Sequence, residues 1–157
     1  MPQLSSMNAC TLFHDARQLV TMSCMVNENA NGATDVLALV DDLFFQAKLV
    51  ETARKLGVVL KTVSTGAALV QALSQAPGGA AASGWPRLVV VDLNARQGAL
   101  EAIEQLQRSG NSVPVIGFLS HVQTELAERA RAAGCKQVMP RSSFTMNLPE
   151  ILQQAKS

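Results

Sequence analysis

A run of four apolar residues leads directly into a carboxylate at Leu88-Val89-Val90-Val91-Asp92. Three of the four are β-branched, and no polar residue alternates with them. Such a run is typical of a central strand buried on both faces, as the strands of a parallel sheet are. In open α/β sheets, ligands bind beyond the carboxyl ends of the strands. Asp92 is therefore the residue around which we look for a functional site.

Strand-like and helix-like segments alternate along the chain on both sides of this run. The predicted strands cover residues 36–40, 58–63, 88–94, 113–119 and 135–139, and the predicted helices cover 43–56, 67–75, 99–108, 123–133 and 148–156. Five βα units predict a parallel sheet with helices on both faces. Because crossovers are right-handed, few topologies remain, and the simplest is the flavodoxin-like (βα)5 doubly wound sheet with strand order 2-1-3-4-5.

Two details of the helices are predicted from periodicity and from helix-start signals. The first helix carries apolar residues at helical spacing, namely Leu43, Phe44, Ala47, Val50, Ala53 and Leu56, and the Phe44-Phe45 pair is expected to supply one core and one rim residue. The last helix is predicted to have Pro149 in its first turn, after a loop that contains Arg141. The folded domain is expected to span residues 35–157, and residues 1–34 are expected to form a flexible N-terminal extension.

Composition excludes several classes of function. The net charge is +1 and there is no Tyr and one Trp, so neither a basic footprint nor a base-stacking surface for nucleic acid is indicated. The three cysteines are an odd number without zinc-site spacing, which favours free thiols. No apolar stretch reaches the roughly 18 residues of a membrane span, and no signal peptide is recognisable. We therefore expect a cytoplasmic protein.

Carboxylates follow the two strands that flank the predicted switch point of the sheet. Asp41 and Asp42 follow the first strand, and Asp92 ends the third. Carboxylates packed this closely repel one another unless a proton or a cation intervenes. Mg²⁺ prefers oxygen ligands and commonly accompanies phosphate, so it is the predicted cofactor.

Two further side chains are expected at the same edge of the sheet. Ser120 ends the fourth strand, and Arg141 follows the fifth. A hydroxyl and a permanent cation are suited to hold the oxygens of a transferred phosphoryl group. The alternatives are that Arg141 pairs with a carboxylate and that Ser120 caps the next helix. A carboxylate such as Asp92 can itself act as the nucleophile and form an aspartyl phosphate.

With these residues the chain resembles the receiver domains of two-component response regulators, including those of the chemotaxis-regulator type. The resemblance covers about residues 35–155 and rests on VLALVDD (36–42), LVVVDLN (88–94), VPVIGFLS (113–120) and AGCKQVMPRS (133–142). It implies a non-enzymatic signalling module of a phosphorelay. It also implies output through a partner protein or a homodimer, on the face formed by the fourth helix, the fifth strand and the fifth helix.

The resemblance also implies a role for each predicted site residue. Asp92 matches the acceptor of a phosphoryl group from a histidine kinase or a phosphotransfer protein. Asp41, Asp42, Asp92 and the backbone carbonyl of Asn94 match the Mg²⁺ ligands, and Ser120 matches the hydroxyl that senses the phosphoryl group. No second domain follows, so a stand-alone module is expected.

The chain departs from the receiver pattern on the side of the site that reads out phosphorylation. Arg141 replaces a lysine, Pro140 precedes it instead of following it, and His121 and Val138 replace a small and an aromatic residue. The loop after Asp92 is also about two residues shorter. These departures favour a second hypothesis, a pseudo-receiver that serves as an interaction scaffold and is not phosphorylated. A third, a small phosphatase, lacks the second carboxylate two residues after Asp92, where Asn94 stands.

Overall fold

A computed structural model describes residues 33–74, 84–120 and 123–156 of the chain. Its strands are β1 (Val36–Leu39), β2 (Leu60–Val63), β3 (Leu88–Asp92), β4 (Val115–Leu119) and β5 (Gln137–Pro140). Its helices are α1 (Leu43–Leu56), α2 (Gly66–Ser74), α3 (Ala99–Arg108), α4 (Thr124–Ala133) and α5 (Arg141–Lys156). The strands form one parallel sheet in the order β2-β1-β3-β4-β5, which confirms the predicted flavodoxin-like topology.

The central strand β3 is buried along its whole length, as its apolar run predicts. Leu88 and Val90 point to the face covered by α1 and α5. Val89 and Val91 point to the opposite face, which α2, α3 and α4 cover. Because successive side chains of a strand alternate between faces, an uninterrupted apolar run provides core residues to both layers.

The first turn of α1 buries a different aromatic residue from the one favoured by the periodicity. Phe45, Leu49 and Ala53 are buried, whereas Leu43 is 77% and Phe44 92% exposed. Ala47 is exposed as well, so the prediction that Leu43, Phe44 and Ala47 belong to the core-facing stripe is wrong. With two adjacent phenylalanines, the apolar stripe of the helix can include either Phe44 or Phe45. Packing against the sheet and α5 places Phe45 in the core. Of the pair expected to supply one core and one rim residue, Phe45 is the core residue, and Phe44 is too exposed to be a rim residue.

The last helix begins much earlier than predicted. It starts at Arg141, directly after β5, so the predicted loop is wrong and Pro149 lies inside the helix. A proline in a helix interior removes one backbone hydrogen bond and disfavours the helix. Burial outweighs this penalty, because α5 places a continuous apolar stripe on the core, made of Phe144, Leu148, Ile151, Leu152 and Ala155. The early start attaches Arg141 rigidly to the end of the sheet.

The loop after β3 is fixed by a close backbone approach to α2. The Gly66 N–H donates to the Gln97 carbonyl at 2.8 Å. A Cβ on Gly66 would collide with the Gly98 carbonyl oxygen, so this approach requires glycine at residue 66. Gly98 has a φ of 71°, in the left-handed region that favours glycine, and α3 begins at the next residue. The short loop is therefore tied to α2 as well as to its own strand.

Apart from the start of α5, the predicted first and last residues of the helices and strands lie within two residues of the observed ones. Thr65 caps α2, since its Oγ1 accepts from the Ala68 N–H at 3.1 Å. The predicted N-terminal extension, residues 1–34, lies almost wholly outside the described residues, and so does His121. None of the helices in the described ranges has the length and apolar character needed to cross a bilayer.

Candidate functional site

The predicted site residues lie at the carboxyl edge of the sheet, where the sheet topology brings the strand ends together. Asp92 is the last residue of β3, and Arg141 is the first residue of α5. The others follow the ends of β1, β3 and β4 as short connections, namely Asp41 and Asp42, Asn94, and Ser120. Contacts within the described residues join Asp42, Asp92 and Arg141 through their side chains, and Asn94 connects Asp92 with Ser120.

Asp92 is a carboxylate almost without access to solvent. The residue is 3% exposed, and it is the one buried residue with a polar or charged side chain within the described ranges. Its Oδ1 accepts from the Asn94 N–H at 3.0 Å, and its Oδ2 accepts from Nη2 of Arg141 at 3.2 Å. Burial raises the pKa of Asp92 above its ordinary value, although both of these hydrogen bonds act in the opposite direction.

Arg141 joins the two strands that flank the switch point. Its Nη1 donates to Asp42 Oδ2 at 2.9 Å while its Nη2 donates to Asp92 Oδ2 at 3.2 Å. One guanidinium therefore serves two carboxylates through its two terminal nitrogens. A lysine ammonium lacks this planar fork of donors, so an arginine is the residue suited to such a bridge.

Asp42 uses its two carboxylate oxygens for two different purposes. Oδ1 caps α1 by accepting from the N–H groups of Phe44 at 3.0 Å and Phe45 at 3.2 Å. Oδ2 is bound to Arg141. The Phe45 N–H and the hydrogen bond from Arg141 hold the pKa of Asp42 below its ordinary value. Neighbouring Asp41 is exposed to solvent.

The guanidinium of Arg141 lies against aromatic rings. Its central carbon is 4.6 Å from the ring centroid of Phe45 and 5.7 Å from that of Phe118. Phe144 stacks on Phe118 with centroids 4.8 Å apart. The Nε of Arg141 is buried and has no hydrogen-bond partner within the described residues. Attraction between the cation and the ring faces compensates in part for this missing bond.

The second group of residues ties the end of β3 to the end of β4. The side-chain carbonyl of Asn94 accepts from the Ser120 N–H at 2.6 Å, and its amide donates to Gln123 at 3.4 Å. Ser120 is exposed, so its hydroxyl is accessible from solvent. Asn94 thus fixes the ends of two adjacent strands through its side chain. The prediction concerned only its backbone carbonyl.

The arrangement of these side chains does not fit a divalent cation between the carboxylates. The Oδ2 atoms of both Asp42 and Asp92 are bound to Arg141, and the remaining oxygens accept backbone N–H groups. Within the described ranges, no group of three or more His, Cys, Asp or Glu residues is placed to hold a metal ion. Magnesium binding by Asp41, Asp42, Asp92 and Asn94 stays a prediction.

Sequence reasoning did not identify Phe45 and Phe118 as parts of the site. Both lie close to predicted site residues in the sequence: Phe45 is three residues after Asp42, and Phe118 is two residues before Ser120. The one indication of aromatic neighbours in the sequence is Arg141 itself, because a guanidinium stacks on aromatic faces better than an ammonium does. Neither ring, however, is distinguishable from an ordinary core residue by spacing.

Comparison with known proteins gives matches at the level of structure and not of sequence. No protein-family model and no curated protein matches the chain. Solved structures of response-regulator receiver domains do match. The phosphorylated cyanobacterial phytochrome response regulator RcpA has a TM-score of 0.62 at 16% identity, over 80% of this chain and 92% of its own. The receiver domain of NtrX from Brucella abortus has a TM-score of 0.61 at 17% identity, over 76% of this chain and 96% of its own.

A response regulator receiver protein from Pseudoalteromonas atlantica is similar to the same degree. Its TM-score is 0.62 at 15% identity, over 77% of this chain and 95% of its own. At such identities the likeness concerns the arrangement of the backbone and not the residues of the site. The chain has the fold of a response-regulator receiver domain.

Proposed function

We propose that this chain is a receiver-type signalling module that acts by binding a partner protein, without a phosphorylation cycle of its own. The observation that carries the proposal is the bridge from Asp42 through Arg141 to Asp92, with N–O distances of 2.9 and 3.2 Å. A phosphoryl acceptor needs a carboxylate oxygen that an incoming phosphorus atom can reach. Here the two oxygens of the buried Asp92 are bound to Asn94 and Arg141.

The bridge also offers a reason for keeping the carboxylates in a module that is not phosphorylated. Asp42 caps α1 and pairs with the first residue of α5, and α1 and α5 pack on the same face of the sheet. The ion pairs therefore fix the relative position of two helices at the edge of the sheet. In this role Asp92 is a structural anion and not a nucleophile, and the proposed module is not an enzyme.

The proposed partner surface is the face of α4, β5 and α5. Its β5 is an edge strand of the sheet, and α5 begins at the bridging residue Arg141, so the surface is continuous with the ion-pair site. Met146 on α5 is 81% exposed. Flexible apolar methionines are common at protein-binding surfaces. The same face would serve if the partner is a second copy of the chain, and we place the module in the cytoplasm.

The proposal is tested by offering the chain a phosphoryl donor. Wild type and Asp92→Asn are incubated with acetyl phosphate and Mg²⁺, and separately with beryllium fluoride, and then compared by intact mass and by amide NMR shifts. We expect neither a covalent adduct nor a shift that depends on Asp92. A mass increase of one phosphoryl group in wild type that is absent in Asp92→Asn contradicts the proposal.

Partner binding supplies the positive half of the test. Tagged wild type and Asp92→Asn are used to isolate bound proteins from the source cells, and the partner so identified is then titrated against both purified chains. We expect equal affinities, because Asp92 does not lie on the proposed surface and asparagine at this position keeps an oxygen that can accept from Arg141. Loss of binding in the variant, with folding intact by circular dichroism, would show that the site itself controls the output.

The second candidate function is acceptance of a phosphoryl group on Asp92 with Mg²⁺, as in a phosphorelay. It is favoured by the placement of Asp92 at the end of β3 beside Asp42, and by the exposed Ser120 at the end of the adjacent strand β4. An oxygen of Asp92 would form the new bond to phosphorus while the bond from phosphorus to a histidine nitrogen of a kinase or phosphotransfer protein breaks. Arg141 would first have to release Asp92 and turn towards the phosphoryl oxygens.

A further inference from the structure

We infer that the guanidinium of Arg141 is the resident cation of this site and occupies the place where a divalent metal ion would otherwise neutralise Asp42 and Asp92. Two facing carboxylates repel one another unless a proton or a cation neutralises them, and in this structure the cation is covalently part of the chain. This assignment concerns the same site as the proposed function and rests on that function. It predicts that the wild-type chain is insensitive to Mg²⁺.

The placement of Arg141 makes its guanidinium difficult to displace. Arg141 is the first residue of α5 and follows β5 without a loop, so its backbone is held by a strand and a helix. Its guanidinium contacts the rings of Phe45 and Phe118, which are themselves core residues. A tethered cation with a fixed backbone loses little freedom when it binds, whereas Mg²⁺ must arrive from solution and give up waters.

The fork geometry accounts for the choice of arginine. Nη1 and Nη2 each reach a different carboxylate, at 2.9 Å and 3.2 Å. The shorter side chain of lysine ends in one compact ammonium, which is strongly hydrated and lacks the two fixed directions. Arg141→Lys therefore keeps the charge of the chain but weakens the bridge. It is the variant that separates the shape of the cation from its charge.

Removing the guanidinium should expose a site that Mg²⁺ can use. Mg²⁺ typically binds through one or two carboxylates and retains several waters, so Asp42 and Asp92 are a sufficient set once Arg141 no longer holds their Oδ2 atoms. Arg141→Met keeps an unbranched apolar stem against Phe45 and Phe118 while it removes the charge. We expect this variant to bind Mg²⁺ at least about tenfold more tightly than wild type does.

Three backbone amides report directly on the two carboxylates. The N–H groups of Phe44 and Phe45 donate to Asp42, and the Asn94 N–H donates to Asp92. Their NMR shifts are followed during Mg²⁺ titrations into the millimolar range. In wild type we expect no saturable shift, and in Arg141→Met we expect a saturable shift of all three. Thermal unfolding gives a second readout, since a ligand that binds only the folded chain raises Tm.

The double variant Arg141→Met with Asp92→Asn is the matched control. It lacks both the guanidinium and the buried carboxylate, so Mg²⁺ should neither shift its amides nor raise its Tm. If Arg141→Met does not fold without metal, Arg141→Lys carries the comparison, with a gain in Mg²⁺ affinity expected over wild type. Folding of each variant is checked by circular dichroism.

Two results would overturn the assignment. Saturable Mg²⁺ binding by wild type at the Phe44, Phe45 and Asn94 amides would show that Arg141 does not occupy the place of the metal. Folded Arg141→Lys and Arg141→Met that remain insensitive to Mg²⁺ would show that something other than Arg141 excludes it. Neither result involves a phosphoryl donor, whereas the proposed function fails only on an Asp92-dependent adduct or readout. The two failures are therefore distinguishable.

Discussion

The energetic dependence of Asp92 on Arg141 can be measured by a double-mutant cycle. Arg141→Met removes the guanidinium and leaves Asp92 as a buried charge, since the side chain of Asp92 is 4% exposed. Among the described residues, its remaining hydrogen bond then comes from the Asn94 N–H. Removing one partner of a buried ion pair costs about 3–5 kcal/mol. Because the side chain of Arg141 is 28% exposed, we expect the lower end of this range, about 3 kcal/mol.

The second substitution should recover much of this loss. Asp92→Asn removes the charge but keeps a side-chain oxygen that can accept from the Asn94 N–H, so its own cost should be about 1 kcal/mol. In the double variant no charge is buried. We therefore expect the double variant to be more stable than Arg141→Met alone, with a coupling of about 2 kcal/mol between the two positions.

The loss caused by Arg141→Met should also depend on pH. Burial raises the pKa of Asp92 and Arg141 lowers it, so loss of Arg141 raises this pKa further in the variant. Protonation of Asp92 therefore favours the folded variant at low pH, and this contribution is lost as the pH rises through the raised pKa. Asp42 has the opposite sign: its lowered pKa stabilises the wild type at neutral pH, and this contribution is lost at acid pH. Both effects make the difference between the variant and the wild type largest near neutral pH.

Urea unfolding at several pH values, followed by far-ultraviolet circular dichroism, measures all four corners of the cycle. Thermal unfolding provides a check, at about 3–5 °C of Tm for each kcal/mol in a domain of this size. Losses from Arg141→Met and Asp92→Asn that add to within about 0.5 kcal/mol would refute the reasoning. So would a loss from Arg141→Met that is independent of pH.

Three further predictions concern the core and the fold. Phe45→Ala should lower the free energy of unfolding by about 3–5 kcal/mol in urea titrations, because Phe45 is only 7% exposed. Phe44→Ala should change it by less than about 0.5 kcal/mol, because Phe44 is 92% exposed. Equal effects would contradict the burial of Phe45 and the exposure of Phe44 in α1. Gly66→Ala should lower Tm, because the new Cβ collides with the Gly98 carbonyl, and an unchanged Tm would contradict this approach. Burial raises the pKa of Cys135 to about 11, so iodoacetamide at pH 8 should modify it slowly in the folded chain and rapidly in urea, as measured by peptide mass spectrometry.

The architecture and the meeting of the acidic residues could be predicted because they follow from topology. Hydrophobic runs that alternate with helical periodicity indicate a parallel sheet, and the carboxyl ends of parallel strands lie at one edge. Asp42, Asp92 and Arg141 were expected at that edge on these grounds alone. Their mutual distances depend on side-chain packing, which no spacing in the sequence reports.

The one misplaced helix start has a specific physical cause. Pro149 is typical of a first helical turn, and it therefore predicts a start for α5 seven residues later than the observed one, whereas burial of Phe144 and Leu148 extends the helix through it. A role of Arg141 as a ligand of phosphoryl oxygens stays a prediction. In the structure its guanidinium pairs with the carboxylates of Asp42 and Asp92, an arrangement that depends on where α5 begins.

The contact between Gly66 and the loop before α3 has an evolutionary consequence. The loop is short and its Gln97 carbonyl is bound to the Gly66 N–H, with no room for a side chain at residue 66. An inserted residue in the loop would break this contact, and a larger residue at position 66 would push the loop away. Among relatives of this chain, glycine at position 66 and the shortened loop should therefore be inherited together and lost together.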